Sequence, residues 1–121
     1  MKGSCLCGAV SFSVEADARG FSVCHCSQCR KQSGHVWASA HVPDEALTIE
    51  GEVTWYRSSD RARRGFCPVC GSFLFWKQDD EDHTSFSLGS IDGPTGAQLK
   101  RHIFTDTKGD YYDITDGLPQ Y

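Results

Sequence analysis

Apolar and polar residues alternate along most of this chain with a period of two, the spacing of half-buried β-strands. Val10, Phe12 and Val14 stand against Ser11 and Ser13, which predicts a strand within residues 8–15. Phe21-Ser22-Val23 predicts a short strand, and from His35 to Val42 the residues Val36, Ala38, Ala40 and Val42 share one face while Trp37 takes the other. Leu47 to Glu50 and Val53 to Arg57 read as strands joined at Gly51. The run Ser72-Phe73-Leu74-Phe75-Trp76 reads as a buried strand. Thr84 to Ile91 predicts a further strand with Phe86 and Leu88 in step, and His102-Ile103-Phe104 begins a last short one. Only Arg30 to Gly34 suggests helix, as a single turn closed by its glycine. The expected fold class is mainly β.

Between these elements lie polar segments. Asp79-Asp80-Glu81-Asp82 reads as a solvated hairpin tip, since no calcium-loop spacing follows it. Ser58 to Gly65, next to Arg57 and containing Arg61, Arg63 and Arg64, reads as a solvated loop or as a contact for an anionic substrate, because it runs straight into Phe66-Cys67. The tail from Tyr111 to Tyr121 mixes aromatics with aspartates and a proline, a composition suited to packing across a surface.

At 121 residues the chain is expected to form one domain, 1–121, burying roughly two thirds of its unfolded surface. A formal charge of −4 argues against nucleic acid as a general partner, which needs a net basic face. No segment approaches the roughly 18 apolar residues of a membrane span. Met1-Lys2-Gly3-Ser4-Cys5 carries no apolar run, so no secretory signal is expected and the expected compartment is the reducing cytoplasm.

There, clustered cysteines mean metal more often than disulfide. The chain has 7 cysteines in three blocks: Cys5-Leu6-Cys7, Cys24-His25-Cys26-Ser27-Gln28-Cys29 and Cys67-Pro68-Val69-Cys70-Gly71. An odd count and Cys-x-Cys spacing both suit a disulfide framework poorly. A structural zinc takes four ligands in a closed tetrahedron, whereas a catalytic zinc keeps three and leaves one position open. The two outer pairs would then enclose one ion, and Cys24, Cys26 and Cys29 would hold a second with a vacancy. Other partitions, such as Cys5 and Cys7 with Cys24 and Cys26, leave an awkward remainder. A second structural zinc completed by His25, His35 or a carboxylate is the competing reading of the triplet, and iron is formally possible in a four-thiolate site.

Zinc with three thiolates carries one formal negative charge, which blunts its acidity toward water. It suits an incoming thiol, which the metal deprotonates and so makes nucleophilic. Nearby cations would offset a fourth thiolate, and His25, Arg30 and Lys31 are nearest in sequence; among the fixed cations Arg30, Lys31 and, closest of the basic segment to Cys67, Arg64 stand out. These three are the candidate thiol-substrate contacts. His25 is expected to point away from the ion toward an outer partner or solvent. His35, His41, His83 and His102 are expected to be surface or strand residues.

The three cysteine blocks in this order, with His102-Ile103-Phe104 and Leu118-Pro119 late in the chain, resemble the glutathione-dependent formaldehyde-activating family, which also includes centromere protein V. The resemblance implies an Mss4-like fold of several small twisted antiparallel sheets organised around zinc sites. It implies a structural zinc on Cys5, Cys7, Cys67 and Cys70 and a catalytic zinc on Cys24, Cys26 and Cys29. It further implies a carbon-sulfur lyase that joins a small thiol, glutathione, to formaldehyde as S-hydroxymethylglutathione. A non-catalytic zinc-stabilised interaction module is the alternative from another class.

Overall fold

A computed structural model describes residues 1–121, and the chain is mainly β, as its alternation predicts. Strands β1 (Lys2–Ser4), β2 (Ser11–Val14) and β5 (Leu47–Glu50) form a small antiparallel sheet in the order β1-β2-β5. The larger sheet has seven strands: β3 (Arg19–Cys24), β4 (Trp37–Pro43), β6 (Thr54–Arg57), β7 (Ala62–Phe66), β8 (Phe73–Gln78), β9 (His83–Ser87) and β10 (Arg101–Ile103), ordered β10-β3-β4-β9-β8-β7-β6. All its pairs are antiparallel except β10 with β3, which run parallel. No helix is long and apolar enough to cross a membrane.

The core lies between the small sheet and one face of the large one. Val10, Phe12 and Val14 meet Ala40, Val42, Leu74, Phe75 and Phe86, with Phe12 edge-on to Phe75 at 5.1 Å between ring centroids. Such pairs add about 0.5–1.5 kcal/mol beyond the area they bury. Period-two alternation sends the intervening residues Trp37, Ser39 and His41 of β4 to the other face, and a cavity forms there.

Several elements differ from the sequence expectation. The helix α1 spans Ser27–Ser33 and starts earlier than Arg30, because Cys26 caps it: the Cys26 sulfur accepts the Cys29 N–H at 3.3 Å. Ser58 to Gly65 is not a loop beyond residue 61, since Ala62–Phe66 is an interior strand between β6 and β8. Alternation along that strand splits the basic residues, leaving Arg64 buried at 6% exposure while Arg63 lies over Trp55 on the other face. The strand expected to reach Ile91 stops at Ser87 and continues as a 3₁₀ turn over Leu88–Ser90. The sequence reading missed β1, which contains a glycine and only three residues; Gly3 is required there because Phe12 lies against its backbone, where a side chain would collide with the ring. Asp79 to Asp82 does form the tip between β8 and β9.

Candidate active site

Cys5, Cys7, Cys67 and Cys70 converge from the two knuckle turns, one between β1 and β2 and the other between β7 and β8, with all four sulfurs within 4.8 Å of one another. The Cys5–Cys7 and Cys7–Cys67 sulfur separations are both 3.7 Å. A regular tetrahedron with zinc–sulfur bonds of about 2.3 Å has edges of about 3.8 Å, so the spacing fits such an ion and is far too long for a disulfide. Both turns aim N–H groups at sulfur: Val10 at Cys5 (3.2 Å), Ala9 at Cys7 (3.5 Å) and Val69 at Cys67 (3.4 Å). Each turn closes on a glycine in the left-handed region, Gly8 at φ 83° and Gly71 at φ 79°, a conformation other residues adopt at a cost. Hydrogen bonds from the Ser72 hydroxyl and then its amide bring Cys70 down to about 5. Cys7 is drawn down by the Ala9 amide, yet burial and its neighbouring thiols outweigh this and raise it to about 11. Four thiols that cannot all ionise side by side, on donors arranged for thiolate, are a set that a cation would complete.

The second cluster is built by α1 and the end of β3. Cys24 is the last residue of the strand, Cys26 the cap and Cys29 lies one turn into the helix, so the local fold alone turns three sulfurs toward a common point within 4.8 Å. No His, Asp, Glu or fourth Cys joins them. The competing closed site falls short on geometry: His25 is 2% exposed and has both ring nitrogens engaged elsewhere, Nδ1 with the Tyr112 hydroxyl and Nε2 with His102 Nδ1 at 2.8 Å. His35 is not among the groups near the thiols, and its Nδ1 bonds the Tyr111 hydroxyl at 2.8 Å. The Cys24 thiol, pushed up first by its hydrogen bond with Cys29 and then by burial, donates to Cys29, which falls to about 6 through that bond and then through Arg64. Arg64 Nη1 sits 3.6 Å from the Cys29 sulfur and 3.2 Å from Gln32 Oε1. Of the three sulfurs, Cys29 is therefore the one that lies beside a buried guanidinium.

The three cysteines open on a cavity of about 450 Å³ across the outer face of the large sheet. Trp37 and Trp76 wall it beside the thiols; Trp37 is held by a 2.6 Å hydrogen bond to the Ser87 hydroxyl and by Phe73 at 4.4 Å. Phe104 stands at the rim with φ 54°, the one non-glycine residue at positive φ, a placement that costs backbone energy.

Of the predicted substrate contacts, Arg64 lines this cavity and Arg30 and Lys31 do not; the Arg30 guanidinium reaches the Thr107 carbonyl instead. Arg57 and Arg61 pair with Asp79 and Asp80, at 2.7 and 3.3 Å. His102, expected at the surface or on a strand, is a buried strand residue bonded to His25 and, through Nε2, to Asp116 at 2.8 Å. The cavity residues Ser22, Ser39, His41, Ser85 and Arg101 were missed as site residues; the signal available was their period-two position, shared with Cys24 and Trp37 on neighbouring strands.

Fold and site together define a mainly β protein with two cysteine clusters able to hold metal ions, one enclosed and one facing a cavity. The family model described as glutathione-dependent formaldehyde-activating enzyme matches residues 1–107, and the chain belongs to that family. It is similar to a protein of the fission yeast Schizosaccharomyces pombe named an uncharacterized lyase, with 26% identity over 117 residues, covering 95% of this chain and 85% of that one. It is also similar to the crystal structure of a Rhodobacter sphaeroides protein, at 30% identity and a TM-score of 0.60, covering 78% of this chain and 91% of that one.

Proposed function

We propose that this protein is a zinc-dependent carbon-sulfur lyase that adds a small thiol, glutathione, to formaldehyde or a related small electrophile. The observation that carries the reading is the incomplete thiol set: three sulfurs on a cavity wall, with no fourth protein donor beside them and the adjacent His25 engaged elsewhere through both ring nitrogens. Cys5, Cys7, Cys67 and Cys70 would hold a structural zinc, and Cys24, Cys26 and Cys29 a catalytic one. A zinc ion on three thiolates supplies acidification of a thiol that takes its remaining position.

The chain's own residues do the rest. Arg64 offsets the negative charge that accumulates when a further sulfur joins three thiolates. Its burial at 6% exposure strengthens that attraction over what a surface cation would give. Trp37 and Trp76 give the cavity apolar walls beside the thiols. In the forward direction the thiol sulfur bonds to the carbonyl carbon, the π pair moves to oxygen, and the proton given up by the thiol ends on that oxygen. The product is a hydroxymethyl thioether, and its reversal breaks the carbon-sulfur bond, the lyase direction.

The test is to load the protein with zinc, count the metal, and follow glutathione and ¹³C-formaldehyde by exchange NMR. Catalysed exchange above the spontaneous rate, lost in Cys29→Ser, is the expected result. Exchange no faster than the uncatalysed background, with two zincs bound, would overturn the enzymatic reading in favour of an interaction module.

A further inference from the structure

The cavity is free of carboxylates in an acidic protein. The chain carries 16 Asp and Glu residues, yet none of them is among the residues lining the cavity, whereas Arg64, Arg101 and His41 are. The arginines differ in their engagements. Arg64 is held by Cys29 and Gln32, Arg57 and Arg61 by aspartates, Arg30 by the Thr107 carbonyl and Arg63 by the Trp55 ring, while Arg19 lines a separate pocket with Asp17 and Asp82. Arg101 lines the cavity with a guanidinium that meets no acceptor of the protein. A cation facing a cavity without a counterion is a site for an anion that arrives with the ligand.

Register places this cation relative to the thiols. In the parallel pair, Ile103 sits beside Cys24 and Arg101 beside Ser22. Arg101 and Cys24 therefore lie on one face, a two-residue step apart, which is roughly 7 Å along the strand before the length of the side chain is added. Between and beside them the floor is formed by Ser22, Ser39 and Ser85, from three adjoining strands, whose hydroxyls have no hydrogen-bond partner in the protein. A row of free hydroxyls ending in a free guanidinium matches a chain rich in acceptors that ends in a carboxylate.

We propose that Arg101 is the anion contact of this cavity, so that the thiol taken up at Cys24, Cys26 and Cys29 is one whose peptide-sized chain ends in a carboxylate. This rests on the thiol-binding reading above and adds to it the residue that selects a carboxylate-bearing thiol. Arg101 replaces the Arg57 to Arg64 segment as the carboxylate partner, since Arg57, Arg61 and Arg63 are engaged outside the cavity and Arg64 is held by Cys29 and Gln32. Thiols without a carboxylate still reach the sulfur cluster but lose the second anchor, and a charge-assisted contact of this kind is worth about a tenfold change in affinity or more.

The experiment titrates zinc-loaded protein with glutathione and with its diethyl ester, which has the same length and no carboxylate. The signal is the emission of Trp37 and Trp76, which line the cavity, with calorimetry as a second readout. Wild-type protein should prefer glutathione about tenfold or more. R101Q should bring that ratio close to unity through weaker glutathione binding with ester binding kept, R101K should retain part of it, and R61Q, outside the cavity, should leave it unchanged. Equal binding of the two thiols by wild type, or a ratio that survives in R101Q, overturns this proposal and leaves the thiol-binding reading standing. Failure of both thiols to bind wild-type protein overturns the two together.

Discussion

Replacing Cys67 and replacing Cys26 should have opposite consequences, although both remove one sulfur from a cluster. Cys67 is fully buried, joins the core, and ties the turn after β7 to the turn before β2 through its 3.7 Å contact with Cys7. Structural zinc contributes roughly 10–16 kcal/mol of folding free energy in small domains, so an equal share for each of four thiolates is about 3–4 kcal/mol. That is a large part of the roughly 5–15 kcal/mol by which domains of this size are stable. At roughly 3–5 °C per kcal/mol for about 120 residues, Cys67→Ala should lower Tm by roughly 10–20 °C. Cys26 is only partly buried and its structural duty is to cap α1. Serine is a preferred cap but a poor zinc ligand, so Cys26→Ser should cost under about 1 kcal/mol while removing the second ion. Scanning calorimetry of zinc-replete samples, with metal counted by atomic emission, measures both quantities. If Cys26→Ser melts as early as Cys67→Ala, or retains its full complement of zinc, the division into an enclosed and an open cluster is wrong.

Two glycines at positive φ should also separate. A Cβ at Gly51 would stand 2.1 Å from the Ala9 carbonyl oxygen, whereas one at Gly71 meets nothing within 4 Å; Gly71→Ala should therefore cost only the roughly 1–2 kcal/mol of left-handed backbone strain, and urea unfolding should show Gly51→Ala costing clearly more. Equal losses would show that strain alone governs both sites. Acid stability should report on Asp44, whose carboxyl is raised by burial but held below its ordinary value of 3.8, on balance, by Lys77 and Thr84. A depressed folded pKa gives stability that is present in full above the unfolded value and is lost as pH falls through the folded one. The Tm difference between wild type and Asp44→Asn should accordingly be constant near neutral pH and shrink below pH of about 4; a difference that grows in acid would reverse the sign of the argument.

The arrangement of sulfur was legible because it is local. Three blocks of spaced cysteines dictate two knuckle turns and a strand-to-helix corner, and the four-plus-three division needs only counting and the coordination habits of zinc. The β class was legible for the same reason, since alternation is written in consecutive residues. Alternation does not say what covers a face. Ala-Arg-Arg-Gly-Phe over Ala62–Phe66 reads as a polar segment because two arginines stand together, and the burial of Arg64 comes from Cys29, Gln32 and Phe73, which are remote in sequence or separated by a turn.

The chain by itself therefore determined the β class, most of the strands and the division of its sulfurs into a set of four and a set of three. Tertiary structure alone decided that β10 returns parallel to β3, which brings Arg101 beside Ser22 and onto the face of Cys24. It also decided that His102 and Tyr112, 77 and 87 positions away, take both nitrogens of His25 and so remove it from the thiols. The physical reason is range: turn geometry and ligand spacing act over a few residues, whereas which cation lacks a partner, and which histidine has one, depends on pairings that exist only after the sheet has closed.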